Sequence, residues 1–295
     1  MKASVIMPVY NQTAQLMIAL EAFRNQILGY HESFEIIVVD DGSDIPVPDL
    51  APKFSTLNVT LISQPNKGRA AARNAGVSGS SGELLIFCDC DRFPGTRFIS
   101  DHILAHQQKE HLVVIGKIGE IYTKDLEKVM LNVHLDTDYY CKQMRVPFYP
   151  RTVTKLYESS GRTESGIPWI STFSGNMSVR KDEFIDAGWY DENFTSWGLE
   201  HFDLGYRLQN NGAVFFYNQS VNYHIAHSRD VSGLQQNIED SIAYMNHKYK
   251  YSDPTLNRFK NFMCGECSLQ SVEPNLQASW LGREKSPLMF KVGNI

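Results

Sequence analysis

Leu84-Leu85-Ile86-Phe87-Cys88-Asp89-Cys90-Asp91 is an apolar run that ends in two acids one residue apart. A buried strand seldom ends this way for packing reasons, because an unpaired buried carboxylate is costly. At the C-terminal end of a parallel strand, two acids project instead into the crevice where open α/β sheets bind ligands. Paired oxygen ligands suit a hard divalent cation, and such a cation suits a phosphorylated substrate. The bland alternative is a surface turn with two solvated acids, and a three-residue D-x-D pattern does not separate the two.

The preceding sequence favours the crevice. Ser4–Val9 is a short β-rich run that stops at Pro8-Val9-Tyr10-Asn11. Gln12–Gln26 carries Leu16, Ile18, Ala19, Leu20 and Phe23 at helical spacing. Phe34–Val39 is a near-continuous apolar run, the sign of a strand covered on both faces, and it ends in Asp40-Asp41-Gly42-Ser43-Asp44. Val59–Ile62 reads as a strand and Arg69–Val77 as an alanine-rich helix; Gly79–Gly82 breaks that helix before the strand Glu83–Cys88. This alternation predicts an α/β domain with a mostly parallel sheet flanked by helices. The clusters Tyr10-Asn11, Asp40-Asp41 and Asp89-Asp91 then fall on one sheet edge. There a tyrosine can stack on a nucleobase, an aspartate can accept hydrogen bonds from base and ribose, and a cation can neutralise a diphosphate. Neither a G-x-x-x-x-G-K-[ST] loop nor a strand-linked G-x-G-x-x-G occurs, which disfavours P-loop and dinucleotide folds.

Bulk properties narrow the class. The 295 residues, 42% hydrophobic and 21% charged, are ordinary for a globular chain with one large domain. The net charge of −5 without a Lys/Arg block argues against nucleic acid as a partner. Met1–Pro8 is too short an apolar run for a signal peptide, and no stretch approaches the roughly 18 apolar residues of a membrane span. Five cysteines, an odd number, point to reduced thiols, and Cys264-Gly-Glu-Cys267 is a lone C-x-x-C. The expectation is a cytoplasmic protein, with peripheral membrane contact left open.

Ser100–His111 reads as a helix, Leu112–Gly116 as a strand, and Leu126–Asp138 contains a helix. Pro147 and Pro150 break the chain, and polar Thr152–Gly166 reads as a loop, either a substrate cover or a plain connection. Trp169–Phe173 reads as a short strand leading into Ser174-Gly175-Asn176, and Lys181–Ala187 as a helix. In Trp197-Gly198-Leu199-Glu200-His201-Phe202-Asp203-Leu204, a helix places Glu200 and His201 in its first turn and pairs Asp203 with Arg207 at i,i+4. Ala213–Tyr217 and Ser220–Tyr223 read as strands. His224 and His227, three apart, can converge in a turn but not on one strand face. Ser232–Lys250 is an amphipathic helix that Pro254 ends. Phe259, Phe262, Trp280, Leu288 and Phe290 lie in a tail that could pack, cover an acceptor or bind a partner.

In order along the chain, Pro8-Val9-Tyr10-Asn11, Val38-Val39-Asp40-Asp41-Gly42-Ser43, Asn66–Gly76 and Asp89-Cys90-Asp91 resemble the nucleotide-sugar half of a GT-A glycosyltransferase of inverting family 2. That resemblance spans roughly residues 3–116. It implies that Tyr10 and Asp41 hold a uracil ring with Pro8 beside them, that Arg69 or Arg73 lies near the nucleotide, that Asp89 and Cys90 meet the ribose, and that Asp91, of the DXD motif, binds the metal. For Arg69 and Arg73, solvation on a helix surface is the equal alternative.

The segment from Trp197 onward is similar to the β-1,4-galactosyltransferase type, in which a Trp-Gly precedes a Glu-Asp pair and a Met-x-x-His binds the metal. Here His201 stands where the pair has its aspartate, usually the base, and His224 where the methionine would be. The resemblance implies Glu200 or His201 as the proton acceptor, Glu200 slightly ahead. It also implies His227, and with it His224, as ligands beside Asp91, and Gly175, Asn176 and Trp197 in the donor pocket. Imidazole with carboxylate and diphosphate oxygens suits Mn²⁺ better than Mg²⁺. The expected organisation is a nucleotide-sugar half at 1–116, an acceptor and metal half at 117–230, and a C-terminal helix and tail at 231–295.

The expected activity is inverting transfer of a hexosyl or N-acetylhexosaminyl group from a nucleotide sugar, a UDP-sugar first, to a hydroxyl of a glycan, glycolipid, peptide or small molecule. The alternatives are a nucleotidyltransferase on a similar sheet, which leaves Trp197–Arg207 without a purpose, and a non-catalytic nucleotide-sugar binder.

Overall fold

The computed structural model describes residues 1–194, 198–226, 233–250 and 253–274. The first half runs β1 (Lys2–Val9), α1 (Thr13–Arg24), β2 (Ser33–Asp40), β3 (Val59–Ser63), α2 (Arg69–Ser78), β4 (Leu84–Phe87), β5 (Arg92–Pro94) and α3 (Phe98–Gln108). Then come β6 (Leu112–Ile121), α4 (Leu126–Leu135), α5 (Phe148–Val153), β7 (Met177–Arg180), α6 (Lys181–Asp186), α7 (Glu200–Asn210) and β8 (Val214–Ile225). The helices α8 (Leu234–Lys248), α9 (Pro254–Met263) and α10 (Leu269–Val272) follow.

Eight strands form one sheet in the order β3-β2-β1-β4-β7-β6-β8-β5. The β3-β2-β1-β4 block is parallel throughout, as the early alternation requires. Beyond it β7 is antiparallel to both β4 and β6, β6 and β8 are parallel, and β5 pairs antiparallel with β8. Along β4 the side chains alternate between two cores: Leu84 and Ile86 join Phe23, Phe98 and Tyr223 on one face, while Leu85 and Phe87 join Trp169, Phe184 and Phe202 on the other. Coverage of both faces is why β4 reads as an unbroken apolar run and β2 as one interrupted only by Glu35 over 34–39. No helix among the described residues is long and apolar enough to cross a membrane.

Several later elements differ from expectation. Pro168–Ser171 is a 3₁₀ turn, not part of a strand at 169–173. Pro168 at its start favours a helical turn, and Trp169 is held by aromatic packing on Phe202, Tyr206 and Phe259 rather than by strand pairing. The two strands expected at 213–223 are one, β8, whose register against β6 shifts between Ile115 and Lys117. His224 is therefore a strand residue, while His227 lies outside the described residues. The strand expected to stop at Gly116 continues to Ile121. The loop expected over 152–166 begins with the end of α5 and a 3₁₀ turn at Thr154–Leu156. Pro254 opens α9 rather than ending α8, with the Asp253 side chain capping Thr255 N. Phe259 and Phe262 of α9 are buried in the Trp169 core, so this part of the tail is packing; Trp280, Leu288 and Phe290 fall outside the described residues.

Candidate active site

The ends of β1, β2 and β4 open onto a cleft of about 610 Å³. Pro8 and Tyr10 after β1, Asp41 after β2, Arg69 and Arg73 on α2, and Asp89, Cys90 and Asp91 after β4 all line it. From the second half Gly175, Glu200, His201 and His224 line the same cleft. Residues up to 216 positions apart, Pro8 and His224, thus meet at the sheet edge where the sequence placed the polar strand ends.

Hydrogen bonds explain how the first half is set. Asp41 accepts from Gln64 Nε2 at 2.7 Å, Lys67 N at 3.0 Å and Gly68 N at 2.9 Å. The carboxylate ties the loop before α2 to the end of β2 and so delivers Arg69, the first residue of α2, to the cleft. Asp41 already has these partners, so any contact with a base must share its oxygens.

Arg73 is fully buried, which removes the solvated-helix alternative for it. Its Nη2 donates to Asp89 Oδ1 at 2.8 Å and its Nη1 to Glu200 Oε1 at 2.9 Å. The guanidinium also lies over the Tyr190 ring, 5.4 Å from its centroid. One planar fork therefore joins the acid after β4 to the first residue of α7. The second oxygen of Asp89 is 3.7 Å from Arg92 Nε. Burial would raise the pKa of Asp89, but the charges of Arg73 and Arg92 outweigh it and keep the group ionised. Gly175 faces this pair closely: a Cβ there would stand 2.8 Å from Asp89 Oδ2 and closer still to Arg92.

Glu200 opens α7 behind Leu199, whose φ of +74° is the left-handed region that a branched side chain adopts only under strain. Burial again opposes ionisation of Glu200, and the nearby His201 with the charges of Arg73 and Arg69 overrides it, so its pKa lies far below the usual carboxylate range. His201 Nδ1 is 3.7 Å from Glu200 Oε1.

His224 Nε2 stands 3.3 Å from Asp91 Oδ2, and its Nδ1 stands 3.4 Å from Glu120 Oε1. Glu120 pairs with His224 across β6 and β8 and also accepts from the Tyr122 hydroxyl at 2.6 Å. Sequence reasoning missed Glu120, because it ended β6 at Gly116. The apolar residues Ile118 and Ile121 carry the strand on to the height of Asp91. A carboxylate and an imidazole this close fit a divalent cation of borderline hardness that completes its shell with substrate oxygens. Among the described residues no set of three or more His, Cys, Asp or Glu side chains is arranged to hold an ion.

Asn176 is the exception among the expected pocket residues. It is fully buried and does not line the cleft. Its Nδ2 donates to Lys117 O at 2.9 Å and Ser220 O at 3.1 Å, two carbonyls beside the register shift between β6 and β8. Its Oδ1 meets His102 Nε2 at 3.0 Å. The amide fills an irregularity in the sheet, a structural task that a Ser-Gly-Asn turn does not reveal. Trp197 and His227 lie outside the described residues. Cys264 and Cys267 are free thiols remote from this cleft.

The family model for glycosyl transferase family 2 matches residues 4–176, and a second, described as the N-terminal domain of galactosyltransferase, matches residues 155–228. The chain belongs to glycosyl transferase family 2 and is a glycosyltransferase. It is 29% identical to an uncharacterized glycosyltransferase, YfnE of Bacillus subtilis, over 84% of this chain and 71% of that one. It is 27% identical to the chondroitin synthase of Escherichia coli over 82% of this chain but only 37% of the synthase. It is 28% identical to a validoxylamine A glucosyltransferase of Streptomyces hygroscopicus over 71% of this chain and 51% of that enzyme. Among solved structures, Staphylococcus aureus TarS 1-349 in complex with UDP superposes with a TM-score of 0.60 at 18% identity, over 83% of this chain and 66% of that one. At that identity the likeness is one of fold, and it agrees with the GT-A architecture expected from the sequence.

Proposed function

We propose that this glycosyltransferase moves a hexosyl or N-acetylhexosaminyl group from a UDP-sugar to an acceptor hydroxyl, with inversion and with a divalent cation, Mn²⁺ before Mg²⁺. The observation that carries the reading is the Arg73 fork, which holds the acid after β4 and the first residue of α7 at one cleft. A UDP-linked donor is supported by the TarS structures of the same fold, which hold UDP and UDP-GlcNAc. In this reading residues 1–116 take the nucleotide sugar, with Tyr10 and Asp41 at the base, Arg69 near the diphosphate and Asp89 turned from Arg73 toward the ribose. Residues 117–230 supply the acceptor side, and the C-terminal helices brace it.

Asp91 and His224, with His227, would hold the cation, which supplies Lewis-acid relief of charge on the leaving diphosphate. Glu120 keeps His224 oriented by facing its other nitrogen. The acceptor oxygen attacks the anomeric carbon in line, the bond from that carbon to the diphosphate oxygen breaks, and UDP leaves with the electron pair. The acceptor proton goes to a side chain of α7. A carboxylate held ionised by His201 and Arg73 is a weak base, and this reading therefore puts His201 ahead of Glu200 as the acceptor of the proton. Glu200 then stabilises the imidazolium and can accept a hydrogen bond from an acceptor hydroxyl. The test is turnover of His201→Asn beside Glu200→Gln. A loss of about 10²-fold or more in kcat for His201→Asn, with a smaller loss for Glu200→Gln, is expected. Near-wild-type kcat in both removes α7 from the chemistry.

A further inference from the structure

The cleft continues past Asp91 and Glu200 to a wall built by the end of β6 and by α5, where Tyr122, Phe148 and Pro150 line it. Two arginines flank that wall. Arg145 lies over the Tyr122 ring and Arg151 over the Phe148 ring, each 5.7 Å from the centroid. Both are exposed; neither lines the cleft itself, but the rings they stack on do. Arg145 is fixed there by its backbone, which exchanges hydrogen bonds with Glu120 at 2.7 and 2.9 Å.

The segment that carries them is basic, although Glu120 and Asp91 line the cleft beside it. Residues 142–162 contain Lys142, Arg145, Arg151, Lys155 and Arg162 against the single acid Glu158, a net charge of +4 in a chain whose total is −5. None of these five cations pairs with a carboxylate among the described residues, whereas Arg24, Arg73, Arg97 and Arg207 all do. Stacking on an aromatic face holds a guanidinium in place while leaving its N–H edge free, and that edge matches the two oxygens of a carboxylate or phosphate. In the sheet order β4 and β7 separate β1 from β6, whose end carries this wall.

We infer that Arg145 and Arg151 select an anionic acceptor, a saccharide bearing a carboxylate or a phosphate ester next to the hydroxyl that receives the sugar. The inference rests on the transferase reading above and adds the charge of the acceptor to it. Binding follows the acid's ionisation and weakens with salt, since the pairing is at an exposed rim.

The test uses the full chain with three acceptor probes: a disaccharide ending in glucuronic acid, its methyl ester, and the corresponding glucose 6-phosphate disaccharide. Saturation-transfer NMR reads binding, and UDP release reads stimulation. At least one charged probe is expected to bind and to show a KM about tenfold or more below that of the methyl ester, the order of one charge-assisted contact. Response to the uronate alone or to the phosphate alone identifies which anion is meant. Arg145→Gln and Arg151→Gln are each expected to raise the acceptor KM about tenfold with a far smaller change in the KM of the donor, and Arg145→Lys to fall between. Lys53→Gln, far from the wall, controls for general charge loss. Equal response to charged and neutral probes, absent response included, overturns the inference. So does an arginine variant that shifts the donor KM instead. Slow release of UDP from donor alone keeps the two readings apart: if it persists without any charge preference, only the acceptor inference fails.

Discussion

Replacing Arg73 by methionine removes the fork that joins the two halves of the site. Its side chain is 2% exposed, as against 7% for Glu200 and 30% for Asp89. Methionine fills much of the volume, so the cost is mainly electrostatic. Removing one partner of a buried pair typically costs about 3–5 kcal/mol, because a buried charge is left uncompensated. Asp89 can recover part of its hydration, whereas Glu200 cannot, so a loss of about 3 kcal/mol in unfolding free energy is expected, mostly from Glu200. Urea unfolding followed by tryptophan fluorescence measures it, as a drop in midpoint at unchanged slope. Arg73→Met with Glu200→Gln removes the stranded charge as well, and should regain about 2 kcal/mol relative to Arg73→Met alone. If Arg73→Met costs less than about 1 kcal/mol, or if the two substitutions simply add, the fork does not couple the halves and the reasoning fails.

Two further outcomes follow from the core beneath the site. His102 and His106 are buried around Ser178 Oγ, at 2.8 and 2.9 Å, and burial pushes their pKa values down to about 4 and about 3. Below about pH 6.5 the unfolded chain takes up protons that the folded chain refuses. Stability is therefore full above that pH and falls as pH drops toward 4, by roughly 3 kcal/mol for His102 alone. Urea midpoints at pH 7.5 and pH 5 measure this, and His102→Gln should flatten the slope; equal midpoints in the wild type would contradict it. Gly116 faces the Asn176 amide so closely that a Cβ would overlap it. Gly116→Ala should cost about 1–3 kcal/mol by pushing Asn176 off Lys117 O and Ser220 O, read as a lower thermal midpoint.

The parallel half of the sheet was legible because its signals are local. Apolar runs at 34–39, broken only by Glu35, and at 84–87 alternate with helical spacing, and each strand ends in its own polar cluster. The second half depends on contacts between distant residues. Trp169 looks like a strand residue until Phe202 and Phe259 are seen around it. Asn176 looks like a pocket residue until the irregularity between β6 and β8 is known. Arg73 could be read as surface or site, because only the fold brings Glu200, 127 positions on, to its Nη1. Glu120 gave no motif at all, and its place beside His224 comes from strand register alone.

The central claim, a cation-assisted transfer from a UDP-sugar at the cleft of Asp91 and His224, is tested most directly by UDP release. The protein is incubated with a panel of UDP-sugars and Mn²⁺, then with a chelator, and the same is done with Asp91→Asn. Release from at least one UDP-sugar is predicted, lost on chelation and reduced about 10²-fold or more in Asp91→Asn. Binding of UDP-sugars without turnover of any, or turnover that is indifferent both to the chelator and to Asp91→Asn, would contradict it.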